Sequence, residues 1–204
     1  MPKATFYNLP VEKRKILIEA AKKEFSRVSL HESSISNIVK MAGIPRGSFY
    51  QYFTDKDDAF YYLLELHGKV GVRRFITCLN NADGDIFETA TAMYKSMLQN
   101  FRSQENREFF RNAFLNMSYK VERTFTQNFS KEKIRHLMEI RKLLDTSNLK
   151  ISNKADVFHV VQIIIAVTFH NLVLSFAREL SDDEAIDKFM IEMKLLKQGL
   201  CQED

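Results

Sequence analysis

Apolar residues recur at helical spacing along most of this 204-residue chain, and polar breaks divide them into segments. Ile16, Leu17, Ala20, Ala21, Phe25 and Val28 share one face of a first helix, with Lys, Arg and Glu opposite. Asn8 and Pro10 suit its beginning. After a break at residues 29–32, Ser33 or Ser34 can cap a short helix to about Met41 that turns Ile35, Ile38 and Val39 inward. Gly43 ends that helix, and Pro45 opens another to about Phe53. Thr54 or Asp55 caps a long helix to about Asn80, with Ala59, Phe60, Leu63, Leu64, Leu66 and Val70 as its apolar face. Residues 80–84, Asn-Asn-Ala-Asp-Gly, form the clearest loop and a natural seam between domains. Beyond it the pattern predicts helices near 85–101, 104–117, 119–145, 154–179 and 182–200.

Composition sharpens this into a fold class. The 3 prolines, Pro2, Pro10 and Pro45, all lie in the first quarter, and there are only 6 glycines, so most of the chain lacks helix breakers. The expected architecture is all-α, with a three-helix N-terminal domain over residues 1–56. A connecting helix over 57–80 leads to a larger helical domain over 81–204. The net charge of +4 is unevenly spread: residues 1–56 hold 10 Lys and Arg against 5 Asp and Glu, while the remainder is close to neutral. A local positive excess is what neutralising phosphates requires. Cys78 and Cys201 make no disulfide framework, and the N-terminus has no apolar signal core, so a cytoplasmic protein is expected. Residues 157–177 are apolar enough to raise the question of a membrane span. They include His159, Gln162, Thr168, His170, Asn171 and Ser175, which are costly in lipid, so a buried or subunit-facing helix is expected and no membrane partner.

The informative segment is residues 34–56, Ser-Ile-Ser-Asn-Ile-Val-Lys-Met-Ala-Gly-Ile-Pro-Arg-Gly-Ser-Phe-Tyr-Gln-Tyr-Phe-Thr-Asp-Lys. It reads as helix, turn, helix: Ala42 permits close approach, Gly43 supplies the turn backbone and Ile44 plugs the core behind it. Such a unit projects its second helix into the major groove. Phe49 and Phe53 anchor that helix, while Arg46, Ser48, Tyr50, Gln51 and Tyr52 crowd it with hydrogen-bonding groups. Arg46 suits a guanine edge or a phosphate and Gln51 an adenine edge. Bare Gly47 lets a DNA backbone come close. Ser34 and Ser36 join the set from the first helix, and Lys56 from the start of the next, where its charge favours a phosphate. The Ala-Gly-Ile turn, the following Gly-Ser-Phe-Tyr-Gln-Tyr-Phe and the Asp-Lys resemble the TetR family of bacterial regulators over roughly residues 10–65.

That resemblance implies a homodimer on a double-stranded DNA operator, with a small-molecule effector and dimer contacts in the larger domain. Repression is the family's usual outcome. Phe101, Phe109, Phe110, Phe114, Met117, Phe125, Phe129 and Met138 crowd the middle helices and favour a hydrophobic effector. Phe110, Phe114, Met117, Phe125 and His159 are the candidate effector residues, although each also fits ordinary core packing. His159 and His170, eleven residues apart, fall about 20° apart on an ideal helix and suit a polar cluster or an interface. An enzyme has little support. The chain has no metal-ligand spacing, no glycine-rich phosphate loop and no nucleophile elbow, and no cofactor or metal is expected.

Overall fold

The computed structural model of the chain describes residues 2–101, 103–116 and 139–201. Its helices are α1 (Ala4–Tyr7), α2 (Val11–Arg27), α3 (Ile35–Ala42), α4 (Arg46–Tyr52), α5 (Lys56–Asn81), α6 (Ile86–Asn100), α7 (Gln104–Leu115), α8 (Lys154–Ala177) and α9 (Asp182–Leu200). They form two compact units, one of residues 2–68 with 101 and 103–116, the other of residues 69–100 with 139–201.

The first unit is built where the helical pattern placed it, with additions. Leu17, Ala20, Ala21 and Phe25 of α2 are buried, as are Ile38, Phe49, Phe53, Ala59, Phe60, Leu63 and Leu64. Ile16, expected on the inner face, is exposed, and the charged Glu24 is buried in its place. Val70 of α5 is likewise exposed rather than apolar core. Asn8 does not start α2; it closes α1, a helix too short to show periodicity, and Pro10 precedes Val11. Gly43 adopts a left-handed φ of 65°, so that its N–H reaches Lys40 O and the N–H of Ile44 reaches Val39 O at 3.1 Å. This pair of bonds satisfies carbonyls that the end of α3 would leave unpaired. Between Thr54 and Asp55, the helix cap is Asp55, whose Oδ1 accepts the N–H of Asp58 at 2.7 Å. The Asp58 carboxylate in turn accepts the N–H of Thr54 at 3.1 Å.

Helix α7 belongs to this first unit, which its position in the chain does not suggest. The Asn112 amide donates to Phe25 O and Ser26 O, both at 3.0 Å, capping carbonyls at the end of α2. The Ser26 hydroxyl lies 3.0 Å from Glu105 O and 2.8 Å from Lys22 O. A continuous run of rings follows: Phe25 to Phe60 (5.2 Å), Phe60 to Phe109 (5.7 Å), Phe109 to Phe110 (5.2 Å) and Phe110 to Phe114 (5.6 Å). Edge-to-face and tilted pairs at these separations add to the area they bury.

The second unit packs α6, α8 and α9 together. Tyr94 stacks on Phe189 at 4.3 Å. Segment 80–84, expected as a seam, lies inside this unit. Asp83 (φ 47°) and Gly84 (φ 88°) close α5, and Gly84 O accepts the N–H of Asp145 at 3.0 Å. A Cβ on Gly84 would sit 2.5 Å from Leu143 O, so only glycine fits that approach. Helices α8 and α9 begin with reciprocal caps, Asn153 with Asp156 and Ser181 with Glu184. The residues of the expected helix 119–145 are described only from 139, where 139–143 are helical.

Candidate DNA interface

The exposed side of the first unit carries the polar side chains of α3 and α4 together. Ser34 starts α3 by accepting the N–H of Ser36 on its hydroxyl at 3.2 Å. Arg46, at the first position of α4, donates from Nη1 to Ser36 Oγ at 2.7 Å and from Nη2 to the Tyr50 hydroxyl at 3.4 Å. The guanidinium carries five donors, so most remain available to an acceptor outside the chain. Tyr50 and Gln51 are exposed on the same short helix, whereas Ser48 and Tyr52 are half-buried. Phe49 beneath them is fully buried, 5.4 Å from Phe53, and fixes which side of α4 faces outward.

Gly47 is exposed, and a Cβ there would meet nothing within 4 Å. Nothing among the described residues requires a glycine at that position, and glycine within a helix is less stable than alanine by roughly 0.5–1 kcal/mol. A bare backbone at the tip of a solvent-facing helix suits close approach by an external molecule.

The structure places Lys56 otherwise than the sequence pattern did. Its ammonium donates to His31 O at 2.6 Å and Ser33 O at 2.9 Å, bracing the loop that leads into α3. That loop has no residue with positive φ, so it needs no glycine. Asp55, Asp57 and Asp58 crowd the start of α5, and their charge opposes a phosphate at that helix end.

Three groups escaped the sequence reading. Glu24, buried under the loop, forms a bidentate pair with Arg27 at 2.9 and 3.0 Å and accepts the Ser34 N–H at 2.8 Å and the Asn37 amide at 3.1 Å. Burial pushes its carboxyl up, but the Arg27, Ser34 and Asn37 bonds outweigh this and hold it below its ordinary value. Lys3 and Thr5 reach the far end of α4: the Lys3 backbone N–H donates to Tyr52 O at 2.8 Å and its ammonium to Tyr50 O at 2.8 Å, while the Thr5 hydroxyl donates to Gln51 O. No helical pattern marks Lys3 or Thr5. An acidic residue amid the apolar positions of α2 was the one available hint of Glu24.

The candidate effector residues that are described fall in different units. Phe110 and Phe114 are buried side by side in the first unit, against Phe101 and His67. His159 is in the second unit, exposed on α8. Met117 and Phe125, with Phe129 and Met138, lie outside the described residues. Among the described residues no group of three His, Cys, Asp or Glu is placed to hold a metal ion.

Comparison with known proteins agrees with this architecture. One curated relative is an uncharacterized HTH-type transcriptional regulator, YdgC of Bacillus subtilis (strain 168), 44% identical over 61 residues; the match spans 29% of this chain and 31% of the relative. A TetR family regulator from Chloroflexus aurantiacus J-10-FL aligns over 100% of both chains with 23% identity and a TM-score of 0.50. SmeT, the repressor of the Stenotrophomonas maltophilia multidrug efflux pump SmeDEF, aligns in its triclosan complex over 94% of this chain and 93% of its own, with 15% identity and a TM-score of 0.68. FadR from Bacillus subtilis with stearoyl-CoA covers 91% of this chain and 98% of its own, with 15% identity and a TM-score of 0.64. At these identities the structures speak for the fold alone. Residues 17–61 match the family described as bacterial regulatory proteins, tetR family, and residues 85–200 match the tetracyclin repressor-like C-terminal domain. With both its reading head and most of its remaining length so matched, the chain belongs to the TetR family of transcriptional regulators.

Proposed function

We propose that this regulator is a repressor that binds a palindromic operator as a homodimer and leaves it when an apolar or amphipathic small molecule binds. The observation that carries the DNA reading is the cluster of Ser36, Arg46 and Tyr50 beside bare Gly47, exposed together over a buried Phe49. Arg46 and Gln51 supply the base-edge contacts, Tyr50 and Ser34 the phosphate contacts, and Lys56 holds the loop behind them. The protein acts in the cytoplasm, with its DNA.

Support for the dimer comes from α8 and α9. Helix α8 is long and apolar enough to cross a membrane by length and composition, yet only 28% of its most apolar window is buried within the chain. Phe158 and Ile163 on α8, and Met190, Ile191 and Leu195 on α9, are exposed, and Ile191 and Leu195 lie one turn apart on a single face. A second copy of the chain is the occupant we assign to these stripes, by isologous pairing. The two reading helices must then reach major-groove faces about 34–36 Å apart. Support for an apolar effector, bound in the domain over 81–204, comes from the richness in phenylalanine and from two fold relatives in complex with triclosan and stearoyl-CoA.

The test begins with a duplex selected by the protein from a random-sequence pool. Arg46→Ala and Tyr50→Ala should each weaken binding to it by roughly 1–3 kcal/mol while helicity stays unchanged. Parent-like binding by both variants would refute the assignment. Apolar compounds that raise the melting temperature should also release the duplex, and stabilisation without release would refute the coupling.

A further inference from the structure

We propose that Lys3 and Thr5 are positioning residues for DNA reading, acting as a detached cap on the C-terminal turn of α4. The proposal rests on the assignment of α4 as the reading helix. A seven-residue helix has no stability of its own, and its last carbonyls have no partners within it. Here Tyr50 O, Gln51 O and Tyr52 O, three in succession, are taken by the Lys3 ammonium, the Thr5 hydroxyl and the Lys3 backbone N–H. Two of these carbonyls belong to Tyr50 and Gln51, whose side chains are exposed.

The cap is itself fixed in place. Phe6 is fully buried, with its ring 5.1 Å from Phe53 and 5.2 Å from Tyr62, and the Arg14 guanidinium lies 6.0 Å from the ring centre. The residue that ends α4, Phe53, is therefore the one on which the capping segment is anchored. The Lys3 charge also stands at the negative end of the helix, where a cation is favourable. At its other end Pro45 makes no side-chain cap bond, and the tie there is the Arg46 side chain to Ser36. Removing the cap leaves three carbonyls to water and frees the last turn to fray, which disorders Tyr50 and Gln51. Phosphate attraction survives that loss, but discrimination between sequences does not.

The experiment compares the selected duplex with a scrambled one over a range of salt concentrations. Lys3→Met and Thr5→Val should each weaken binding to the selected duplex by roughly five- to tenfold, the effect of one hydrogen bond or slightly more. Binding to the scrambled duplex, and the slope of log affinity against log salt, should stay at the parent's values. Lys3→Arg and Thr5→Ser, which keep a donor, should restore discrimination. Thr5→Val is isosteric at an exposed position, so it tests the cap even if Lys3→Met folds poorly. A salt slope lower by about 1 in Lys3→Met, with both duplexes weakened alike, would make Lys3 a direct phosphate contact and overturn the proposal. Unchanged discrimination in both Lys3→Met and Thr5→Val would overturn it as well. Arg46→Ala serves as the control: parent-like binding there would remove the reading assignment itself rather than the cap.

Discussion

Gly47 and Gly84 show how differently one residue type is used. Gly84 is demanded by the fold, because its φ of 88° and the nearby Leu143 carbonyl leave no room for a Cβ. Gly47 faces open space within α4 and satisfies no demand of the chain. Gly47→Ala should therefore stabilise the protein by roughly 0.5–1 kcal/mol in chemical denaturation and weaken binding to the selected duplex. Tighter or unchanged binding would dissociate Gly47 from the interface. Two titratable groups set an acid limit on stability, in separate windows. Burial, and then the charge of Lys22, lower His67 from 6.5 to about 4, so the unfolded chain takes up the proton first. Stability should fall as pH drops from about 6.5 to about 4, by up to about 1.4 kcal/mol per pH unit. Glu24 is lowered in the folded chain, so its contribution is complete above its ordinary value of 4.5 and disappears as pH falls below that. Difference curves of His67→Phe and Glu24→Gln against the parent, by denaturation at each pH, would separate the two windows.

Among the elements, α7 contributes most beyond its place in the chain. Asn112 holds Phe25 O and Ser26 O at the end of α2, one and two residues beyond Glu24, which holds Ser34 and Asn37 of α3. The first unit thus has a linked set of bonds from α7 through α2 to the start of α3. Asn112→Ala removes two donors from part-buried carbonyls and should lower stability by about 1–3 kcal/mol, read as a shift in denaturation midpoint. A change below about 0.5 kcal/mol would mean that water replaces the amide at no cost. The short helices α3 and α4 stand at the other extreme, since neither persists without partners: α3 is capped locally by Ser34 and Gly43, and α4 by Lys3 and Thr5 from far along the chain. Gly43 and Ser34 were legible as local caps because their bonds span a few residues. The Glu24 bonds to Ser34 and Asn37 and the Lys3 bonds to α4 join residues 10 or more positions apart and leave no local trace.

At the scale of the whole molecule, the apolar stripes of α8 and α9 are the feature a single chain leaves unresolved. Leu195 is 63% exposed and Ile191 62%, so neither contributes much to the fold of one chain. Leu195→Asp should accordingly leave thermal stability of the monomer little changed, shift the species in sedimentation from dimer to monomer, and abolish binding to a palindromic duplex. A dimer that persists would place the interface on another surface.

The sequence by itself determined the all-α class, the boundaries of most described helices to within a few residues, and the helix-turn-helix. Each of these depends on local physics: spacing of apolar positions, capping hydroxyls and carboxylates, and the one glycine that turns left-handed after α3. It also singled out Arg46, Tyr50 and Gln51 as candidates, and all three are exposed on α4. The tertiary structure decided which residues support them. That α7 joins the first unit, that Glu24 is buried while Ile16 is exposed, that Lys56 braces a loop and that Lys3 and Thr5 close α4 all follow from contacts between distant segments. Such contacts form wherever packing brings an unpaired carbonyl or N–H within reach of a donor or acceptor. The periodicity of a single helix carries no record of that partner.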